Sequence, residues 1–340
     1  MSSSVGTQEG HAESNEELYQ RFSNLVSSWP CFPPALSIST SQLYRHDKGW
    51  HSRLAPMVGT MVADACFTAR PSDIVVATLP KSGTTWIKAL LYSTVHRREH
   101  PVGSSDHPFN SLGPHECIKF FEFQLYTENK IPDLDELPDP RLFATHAPFV
   151  SLPRSVLAAG CKIVYVCRDP KDTLVSHWSF ANKFRIREGL EPLSVEAVAG
   201  PFCDGVTPFG PYWDHVLGYW RAHLAHPEKV LFFGYEEMSR DPEAHARRLA
   251  EFVGRPFGPE EDGAVDAIVK LCSFDHMIGL QATKCGKTDA LTGAVDNSWF
   301  FRRGVVADWQ NNLSPETARR IDAITEDRFS GTGLRWEWAA

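Results

Sequence analysis

Short apolar runs and segments of helical periodicity alternate along the chain from about residue 70. Ile74 to Leu79 is an apolar run closed by Pro80, and Thr84 to Val95 places Ile87 and Leu91 at helical spacing. Lys162 to Cys167 repeats the apolar run. The pattern predicts buried strands, each followed by a helix.

Two more segments extend this pattern. After Cys167, Asp169 is suited to cap a helix that begins at Pro170. Val230 to Phe233 reads as a third strand, with a helix from Pro242 to Val253 behind it. Strands that alternate with helices predict an α/β domain whose central sheet is mostly parallel and is flanked by helices.

The chain shows no internal repeat and no linker rich in proline or glycine. Residues 1–15 are polar and favour a disordered tail, so we expect one domain over residues 16–340. Residues 101–153 are rich in proline and phenylalanine and are predicted to be too irregular for regular sheet. This stretch either covers an apolar pocket or is ordinary loop packing.

Charge and cysteine content narrow the class of protein. Thirty-four basic and 42 acidic residues give a net charge of −8, which argues against binding nucleic acid or anionic membrane through bulk charge. The eight cysteines form no C-x-x-C pair, and we expect reduced thiols. The sequence also lacks a long apolar span and a secretory signal, so we expect a cytoplasmic protein without a membrane partner.

The segment from Pro80 to Trp86, PKSGTTW, lies where a strand ends and a helix begins. Backbone N–H groups and the positive end of the helix dipole meet at such a junction and favour a phosphate. Lys81 adds a cation, and Gly83 permits close approach of the backbone. The alternative is a strand-to-helix turn with a polar cap. The triphosphate-binding pattern G-x-x-x-x-G-K-[ST] does not fit, so a shorter, P-loop-like loop for one 5′-phosphate group is expected.

Three separated motifs resemble the cytosolic sulfotransferases that use 3′-phosphoadenosine 5′-phosphosulfate (PAPS), and the plant members in particular. The family's P-K-S-G-T-T-W loop occurs at residues 80–86. Its R-[ND]-x-K-D-x-x-x-S region is matched from Arg168 to Ser176, and its R-K-G-x-x-G-D-W region is matched from Arg302 to Trp309. The resemblance covers roughly residues 58–336.

The resemblance implies a site for PAPS as co-substrate, with no metal. The loop residues Lys81, Ser82, Gly83, Thr84, Thr85 and Trp86 would hold the 5′-phosphosulfate, with the Trp86 indole against adenine. The residues implied at the 3′-phosphate are Arg168, Ser176, Arg302, Arg303 and Gly304, and Tyr235 and Phe274 would complete the adenine site.

The resemblance also makes His146 the general base that removes the proton of the acceptor hydroxyl, with Lys81 stabilising the leaving phosphate. The chain departs from the family pattern at two positions. Ala144 stands where animal members often carry lysine, and Ala307 replaces the second glycine of the last motif. The dimer motif of animal members is not matched, so no oligomeric state is predicted.

These features predict transfer of a sulfuryl group to a hydroxyl of a small, largely apolar acceptor. Phe149 and Phe180 are expected to face the acceptor, together with the stretch near Phe120 and Phe121. Flavonoids, steroids, hydroxyjasmonates and desulfoglucosinolates all stay open as acceptors. Two other readings also stay open, namely a P-loop small-molecule kinase and a homologue that binds the nucleotide without catalysis.

Overall fold

A computed structural model describes residues 13–33, 41–261, 263–290 and 293–335. The strands are β1 (Cys31–Phe32), β2 (Leu43–Arg45), β3 (His51–Ser52), β4 (Ile74–Thr78), β5 (Lys119–Phe120), β6 (Leu142–Thr145), β7 (Lys162–Cys167), β8 (Val230–Gly234), β9 (Lys287–Ala290) and β10 (Gly293–Asp296). The helices are α1 (Asn15–Ser27), α2 (Leu54–Cys66), α3 (Thr84–Val95), α4 (Pro114–Cys117), α5 (Arg154–Ala159), α6 (Pro170–Arg187), α7 (Val195–Cys203), α8 (Tyr212–Ala225), α9 (Tyr235–Arg240), α10 (Pro242–Phe252), α11 (Ala264–Leu271), α12 (Phe274–Gly279), α13 (Gln281–Cys285) and α14 (Pro315–Phe329).

A five-stranded parallel sheet in the order β5-β6-β4-β7-β8 forms the centre of the fold. In the register, Val75 of β4 lies opposite Phe143 of β6 and Ile163 of β7. Side chains alternate between the two faces, so Val75 belongs to one buried hydrophobic cluster and Val76 to the other. Helices therefore cover both faces, as the apolar runs predict.

The predicted strand-helix units are confirmed. Strand β4 ends at Thr78, and α3 follows with the predicted bounds. Strand β7 also has the predicted bounds, and α6 begins at Pro170 after Asp169, whose side chain accepts a hydrogen bond from the N–H of Lys171 at 2.7 Å. The mostly parallel α/β fold is thereby established, and the strands bring the residues that follow them to one edge of the sheet.

The prediction that residues 101–153 are too irregular for regular sheet was wrong. This stretch contains β5 and β6, and β6 pairs with β4 in the middle of the sheet. Strand β6 has only four residues and β5 only two, so neither has enough residues to display a periodic pattern. Strand β6 is stabilised by pairing with β4, which precedes it by more than 60 residues, and β5 in turn pairs with β6.

At the N-terminal end, helix α1 begins at Asn15 after a capping box formed by Ser14 and Glu17. Its buried residues Leu18, Tyr19 and Val26 belong to the same hydrophobic cluster as α2. Most of the predicted tail, residues 1–12, lies outside the described residues. Within the described part of the chain, the helices are too short or too polar to cross a bilayer.

Candidate active site

A cavity of about 440 Å³ opens at the carboxyl edge of the central sheet. Its walls include Lys81 after β4, His146 after β6, Arg168 after β7 and Tyr235 after β8. Parallel α/β sheets bind their ligands at this edge, because the loops after the strands all converge there. Apart from Ser82, Phe121 and Phe149, each residue named above for the site lines this cavity.

The loop between β4 and α3 is strained in a manner that suits an anion. Lys81 and Gly83 have φ values of 71° and 97°, in the left-handed region. A Cβ at Gly83 would lie 2.7 Å from the Tyr235 ring, so this position requires glycine. In the described structure no side chain caps the N-terminus of α3, which leaves its first N–H groups for a ligand. Ser82 is buried, and its Oγ lies 3.5 Å from Oγ1 of Thr173, a contact that links the loop to α6.

Lys81 is the most strongly perturbed cation of the cavity. Burial lowers its pKa to about 7, and the positive charges of Lys183, Arg168 and Arg302 lower it further. Its ammonium lies 4.0 Å from the centre of the Phe180 ring. Among the described residues that line the cavity, Asp289 is the one acidic side chain. Arg168 and Arg302 have carboxylate partners in Asp172 and Asp308. Lys81 forms no salt bridge with any described residue, so its ammonium favours an anionic ligand.

Arg168 offers a direct test of whether such an anion fits. Its Nη2 donates to Asp172 at 3.2 Å and to the carbonyl of Val305 at 2.9 Å, and its guanidinium lies 4.5 Å from the centre of the Tyr235 ring. Its Nε is buried and has no hydrogen-bond partner among the described residues. An unsatisfied buried donor is costly, and a phosphate oxygen would satisfy it. The residue thus fits the predicted role at a phosphate.

The segment from Arg302 to Trp309 is attached to α6 by the buried carboxylate of Asp172. That carboxylate accepts hydrogen bonds from the N–H groups of Ala307 at 2.8 Å and Trp309 at 2.9 Å. Arg302 and Arg303 both pair with the buried Asp308. The pairing orients the two guanidiniums at the rim of the cavity, where Arg302 is mostly buried and Arg303 more exposed.

Two positions in this segment adopt left-handed backbone. Gly304 has φ 68°, and a Cβ there would lie 2.4 Å from the Phe274 ring. Ala307, which replaces the family's glycine, has φ 62°. The turn of the family motif is therefore present in spite of the alanine, at a conformational cost of about 1–2 kcal/mol for an L-residue.

Aromatic rings form the part of the cavity predicted for adenine. Trp86 and Tyr235 meet edge to face with ring centres 5.3 Å apart, and Phe274 packs against Phe301 at 5.8 Å. Ser176 lines the cavity from α6. The polar loop and the aromatic rings thus lie side by side, as a nucleotide requires.

His146 is buried, and its hydrogen bonds determine which ring nitrogen is free. Its Nδ1 lies 2.7 Å from the carbonyl oxygen of Thr78. Because a carbonyl only accepts, Nδ1 donates, and the neutral ring carries its lone pair on Nε2. Burial lowers the pKa of His146 to about 3, which keeps the ring neutral at physiological pH. The imidazole is therefore arranged to accept a proton at Nε2.

Glu122 supports the backbone at His146, a role that was not predicted from the sequence. This fully buried carboxylate accepts from the His146 N–H at 2.6 Å and from the Thr145 hydroxyl at 3.0 Å. Burial raises its pKa to about 7, and the nearby charge of Lys88 opposes that rise. It lies in a π-helical turn, Phe121–Leu125, directly after β5. No local motif marks it, because its partners are 23 and 24 residues away.

A chain of buried hydrogen bonds runs from Lys88 through His115 to Thr85 in the loop after β4. Nζ of Lys88 donates to Nδ1 of His115 at 3.2 Å, so the imidazole, whose pKa burial lowers, carries its proton on Nε2. This Nε2 lies 3.0 Å from the Thr85 hydroxyl and donates to it. The hydroxyl proton of Thr85 is thereby left to donate into the cavity.

Phenylalanines surround His146, but not all those expected. The rings of Phe120, Phe123 and Phe209 lie with their centres 4.6–5.8 Å from that of His146. Phe180 lines the cavity as expected. Phe149 does not reach the cavity and packs against Tyr219 instead, with ring centres 5.5 Å apart. Phe121 packs in the core against Phe67 and Phe143, since consecutive residues near a strand end face opposite sides.

Several cavity residues carry no signal that a motif search detects. The structure adds Ser52, Arg53 and His177 to the lining, and the charge of Lys183 to the electrostatics of Lys81. His177 and Phe184 share a face of α6 with Phe180. Their helical spacing from Phe180 was a usable sequence signal. Ser52 and Arg53, by contrast, come from a separate segment of the chain.

Comparisons with known proteins agree with this geometry. The family model described as the sulfotransferase domain matches residues 71–333. Cytosolic sulfotransferase 15 of Arabidopsis thaliana is 39% identical over 327 residues, which cover 95% of this chain and 89% of that protein. Cytosolic sulfotransferase 17 of the same plant is 44% identical over 292 residues, or 84% and 83% of the two chains. The chain therefore belongs to the sulfotransferase family, whose members take the sulfuryl group from PAPS.

Solved structures show the same relationship. A crystal structure of a candidate steroid sulphotransferase from Arabidopsis thaliana matches with a TM-score of 0.75 and 36% identity, over 96% of this chain and 99% of that one. Mouse sulfotransferase SULT7A1, solved in complex with PAP, matches with a TM-score of 0.65 and 26% identity, over 85% and 95%. The fold and the enzyme class predicted from the motifs are confirmed.

Proposed function

We propose that this sulfotransferase transfers the sulfuryl group of PAPS to a hydroxyl of a small, largely apolar acceptor. The observation that carries the proposal is the meeting of two features in one cavity. A cluster of cations around Lys81 adjoins a neutral His146 whose Nε2 is free of the Thr78 hydrogen bond. The aromatic rings around His146 suit an apolar scaffold.

The residues that would hold PAPS divide by chemistry. The loop from Lys81 to Trp86 and the N-terminus of α3 would bind the 5′-phosphosulfate. Guanidinium and hydroxyl groups suit the 3′-phosphate, with loop N–H donors beside them. The residues proposed there are Arg168, Ser176, Arg302, Arg303 and Gly304, and those proposed for adenine are Trp86, Tyr235 and Phe274.

The chemistry requires one proton acceptor and one stabilising cation from the chain. When bound, PAPS supplies a sulfuryl group that leaves a phosphate oxygen for the acceptor oxygen. His146 takes the hydroxyl proton at Nε2 while its Nδ1–H stays on the Thr78 carbonyl. Lys81 stabilises the negative charge that grows on the departing phosphate oxygen, assisted by the N–H groups at the start of α3.

The proposal also covers the location of the protein and its binding partners. We propose a cytoplasmic location, which the names of the Arabidopsis relatives support. The partner is a small-molecule acceptor rather than nucleic acid or a membrane, in keeping with the acidic net charge of −8. The acceptor classes left open by the sequence, including steroids and flavonoids, are the ones to test first.

A transfer assay with PAPS carrying radioactive sulfur tests the proposed function. We expect labelled product with at least one member of a panel of apolar phenols and alcohols, and we expect transfer to persist in EDTA. A kinase would instead be stabilised thermally by ATP with Mg²⁺ and not by PAP. A non-catalytic homologue would bind PAP and transfer no label. Either result would contradict the proposal.

Replacing Arg168 by alanine tests the proposed 3′-phosphate site. We expect the affinity for PAP to fall about 10- to 100-fold, since a charge-assisted hydrogen bond contributes about 1.5–3 kcal/mol. The affinity for adenosine 5′-phosphate, which lacks the 3′ group, should change by less than about threefold on the same basis. Calorimetric titration of both nucleotides measures the difference.

The exposed Arg319 provides the matched control, because its replacement by alanine removes the same charge far from the cavity. We expect both nucleotides to bind Arg319→Ala as they bind the unaltered protein. Equal losses for PAP and adenosine 5′-phosphate in Arg168→Ala would show that Arg168 does not bind the 3′-phosphate.

A further inference from the structure

One cation of the cavity has no role in the proposed chemistry. Among the residues that the structure describes, five lysines and arginines line the cavity, and four of them, Lys81, Arg168, Arg302 and Arg303, are assigned above to PAPS. The fifth is Arg53, which directly precedes α2. It is not among the three cations with the largest effect on the pKa of Lys81, which are Lys183, Arg168 and Arg302. Arg53 is therefore set apart from the cluster that would hold the nucleotide.

The surroundings of Arg53 place it on the acceptor side. Its charge and that of Lys81 both lower the pKa of His177, so Arg53 and Lys81 both lie near that imidazole. His177 comes from α6, one turn before Phe180. Pro56, one turn into α2 from Arg53, also lines the cavity. Arg53, Pro56 and His177 therefore belong to the same part of the lining, one helical turn from the expected acceptor contact Phe180.

No described carboxylate is in contact with Arg53. Within the described chain, no carboxylate lies within 4 Å of its guanidinium and no hydrogen bond satisfies it. Burial lowers the pKa of Arg53, and the charge of Glu188 opposes this effect from a longer distance. Asp289, the acidic residue of the lining, lies on the exposed β9–β10 hairpin. A half-buried guanidinium without a partner favours an anionic ligand.

The neighbouring residue supplies a second and independent observation. Ser52 also lines the cavity and is 1% exposed. Its Oγ is buried and has no hydrogen-bond partner among the described residues. Buried hydroxyls are nearly always hydrogen-bonded, so this one indicates a polar group supplied by a ligand. Two consecutive residues of the lining thus offer a hydroxyl and a guanidinium, two kinds of donor that suit the oxygens of a carboxylate.

We propose that Ser52 and Arg53 form a subsite for a carboxylate carried by the acceptor. The acceptor class is then an apolar hydroxy acid, in which the hydroxyl lies at His146 and the carboxylate at Arg53. This inference rests on the proposed function, because it takes His146 as the place where the hydroxyl reacts. The aromatic rings around His146 bind the hydrocarbon part of the molecule.

The test compares hydroxy acids with their methyl esters as acceptors. A series of 4-hydroxyphenylalkanoic acids and ω-hydroxy fatty acids of increasing length varies the separation of hydroxyl and carboxylate. For the best length, we expect kcat/KM with the acid to exceed that with its ester by about 10- to 100-fold. The full chain is used with PAPS at saturation, and PAP binding is measured separately by calorimetry.

Variants of Arg53 and Ser52 test whether these residues cause the preference for the acid over its ester. In Arg53→Met the ratio of acid to ester should fall to about one, mostly through KM, and Arg53→Lys should retain part of it. Ser52→Ala should lower the ratio about fivefold, as the loss of one hydrogen bond implies. Arg45→Met, which removes an exposed arginine outside the cavity, should leave the ratio unchanged.

Each outcome bears on a different claim. If the unaltered protein binds PAP and sulfates esters as well as acids at every length, the carboxylate subsite is wrong and the proposed function stands. If Arg53→Met lowers acid and ester equally, Arg53 has a structural role and the subsite is again wrong. If neither PAP binding nor transfer to either acceptor is detected, the proposed function fails and the subsite fails with it.

Discussion

Replacing His146 by alanine is expected to lower kcat by about 10²- to 10⁴-fold, the contribution typical of a general base. The loss should appear with every acceptor, because each hydroxyl must give up its proton. PAP affinity should stay within about twofold of the unaltered value on the same grounds, since the His146 ring contacts Thr78 and aromatic rings rather than the cation cluster. Steady-state kinetics with labelled PAPS and calorimetry with PAP measure the two quantities.

A matched control is available in His226, an exposed histidine outside the cavity. His226→Ala should leave both quantities unchanged. An unchanged kcat in His146→Ala would remove this residue from the role of base. A parallel loss of PAP affinity would instead indicate that the substitution disturbs the nucleotide site through the strands.

The pKa of His146 can be tested in the protein without ligands. Burial lowers this pKa to about 3, so the ring should stay neutral from pH 5 to 9. In an NMR titration, the signal assigned to His146 by its loss in His146→Ala should not move over that range. A midpoint between pH 6 and 7 would mean that the imidazole is solvated rather than held in the dry aromatic surroundings described above.

Replacing Lys81 by methionine is expected to lower kcat by about 10²- to 10³-fold, the effect of removing one group that stabilises charge in the transition state. Methionine retains the linear side chain, and the left-handed backbone at φ 71° strains both residues alike. The variant therefore isolates the charge. Lys81→Arg should recover part of the activity, because it restores the charge with a different donor geometry.

The pKa of Lys81 also makes nucleotide binding depend on pH. Burial and neighbouring cations lower this pKa to about 7, so the amine is mostly neutral at pH 8. A bound phosphate raises the pKa, and binding must then take up a proton. The uptake at pH 8 should approach one proton, and PAP affinity should weaken as the pH rises above 7. At pH 8 the phosphates of PAP are already ionised and do not obscure the measurement.

Calorimetry in two buffers with different ionisation enthalpies measures this proton uptake. In Lys81→Met the uptake should disappear, whereas in Lys284→Met, which alters an exposed lysine outside the cavity, it should persist. Proton uptake that survives in Lys81→Met would assign the titration to another group. No uptake in the unaltered protein would mean that Lys81 is fully protonated before the nucleotide binds.

The features that could be predicted from the sequence are formed by residues that are consecutive or nearly so. The loop after β4, the cap at Asp169 and the start of α6 were all predictable, because the residues that form them are consecutive. The same holds for the residues that follow β7 and β8, since a strand end is visible in the apolar pattern. Strand β6 was missed because its four residues become a strand only by pairing with β4.

Residue type alone did not determine which aromatic side chains face the cavity. Phe149 and Phe180 looked equivalent as acceptor contacts, yet Phe149 packs on Tyr219 and Phe180 lies beneath the ammonium of Lys81. Ala307 shows the reverse case. Ala307 replaces a glycine of the family motif, yet its backbone adopts the left-handed conformation and its N–H donates to Asp172.

By itself, the sequence determined the strand-helix order, the anion-binding loop and the set of residues that belong to the sulfotransferase motifs. These features depend on residues that are neighbours in sequence, on hydrophobic periodicity, and on how many residues separate a motif from the end of a strand. Only the tertiary structure decided that Glu122 holds the backbone at His146 and that Ser52 and Arg53 line the same cavity. Those roles depend on burial and on contacts between segments that are distant in sequence, which no local pattern encodes.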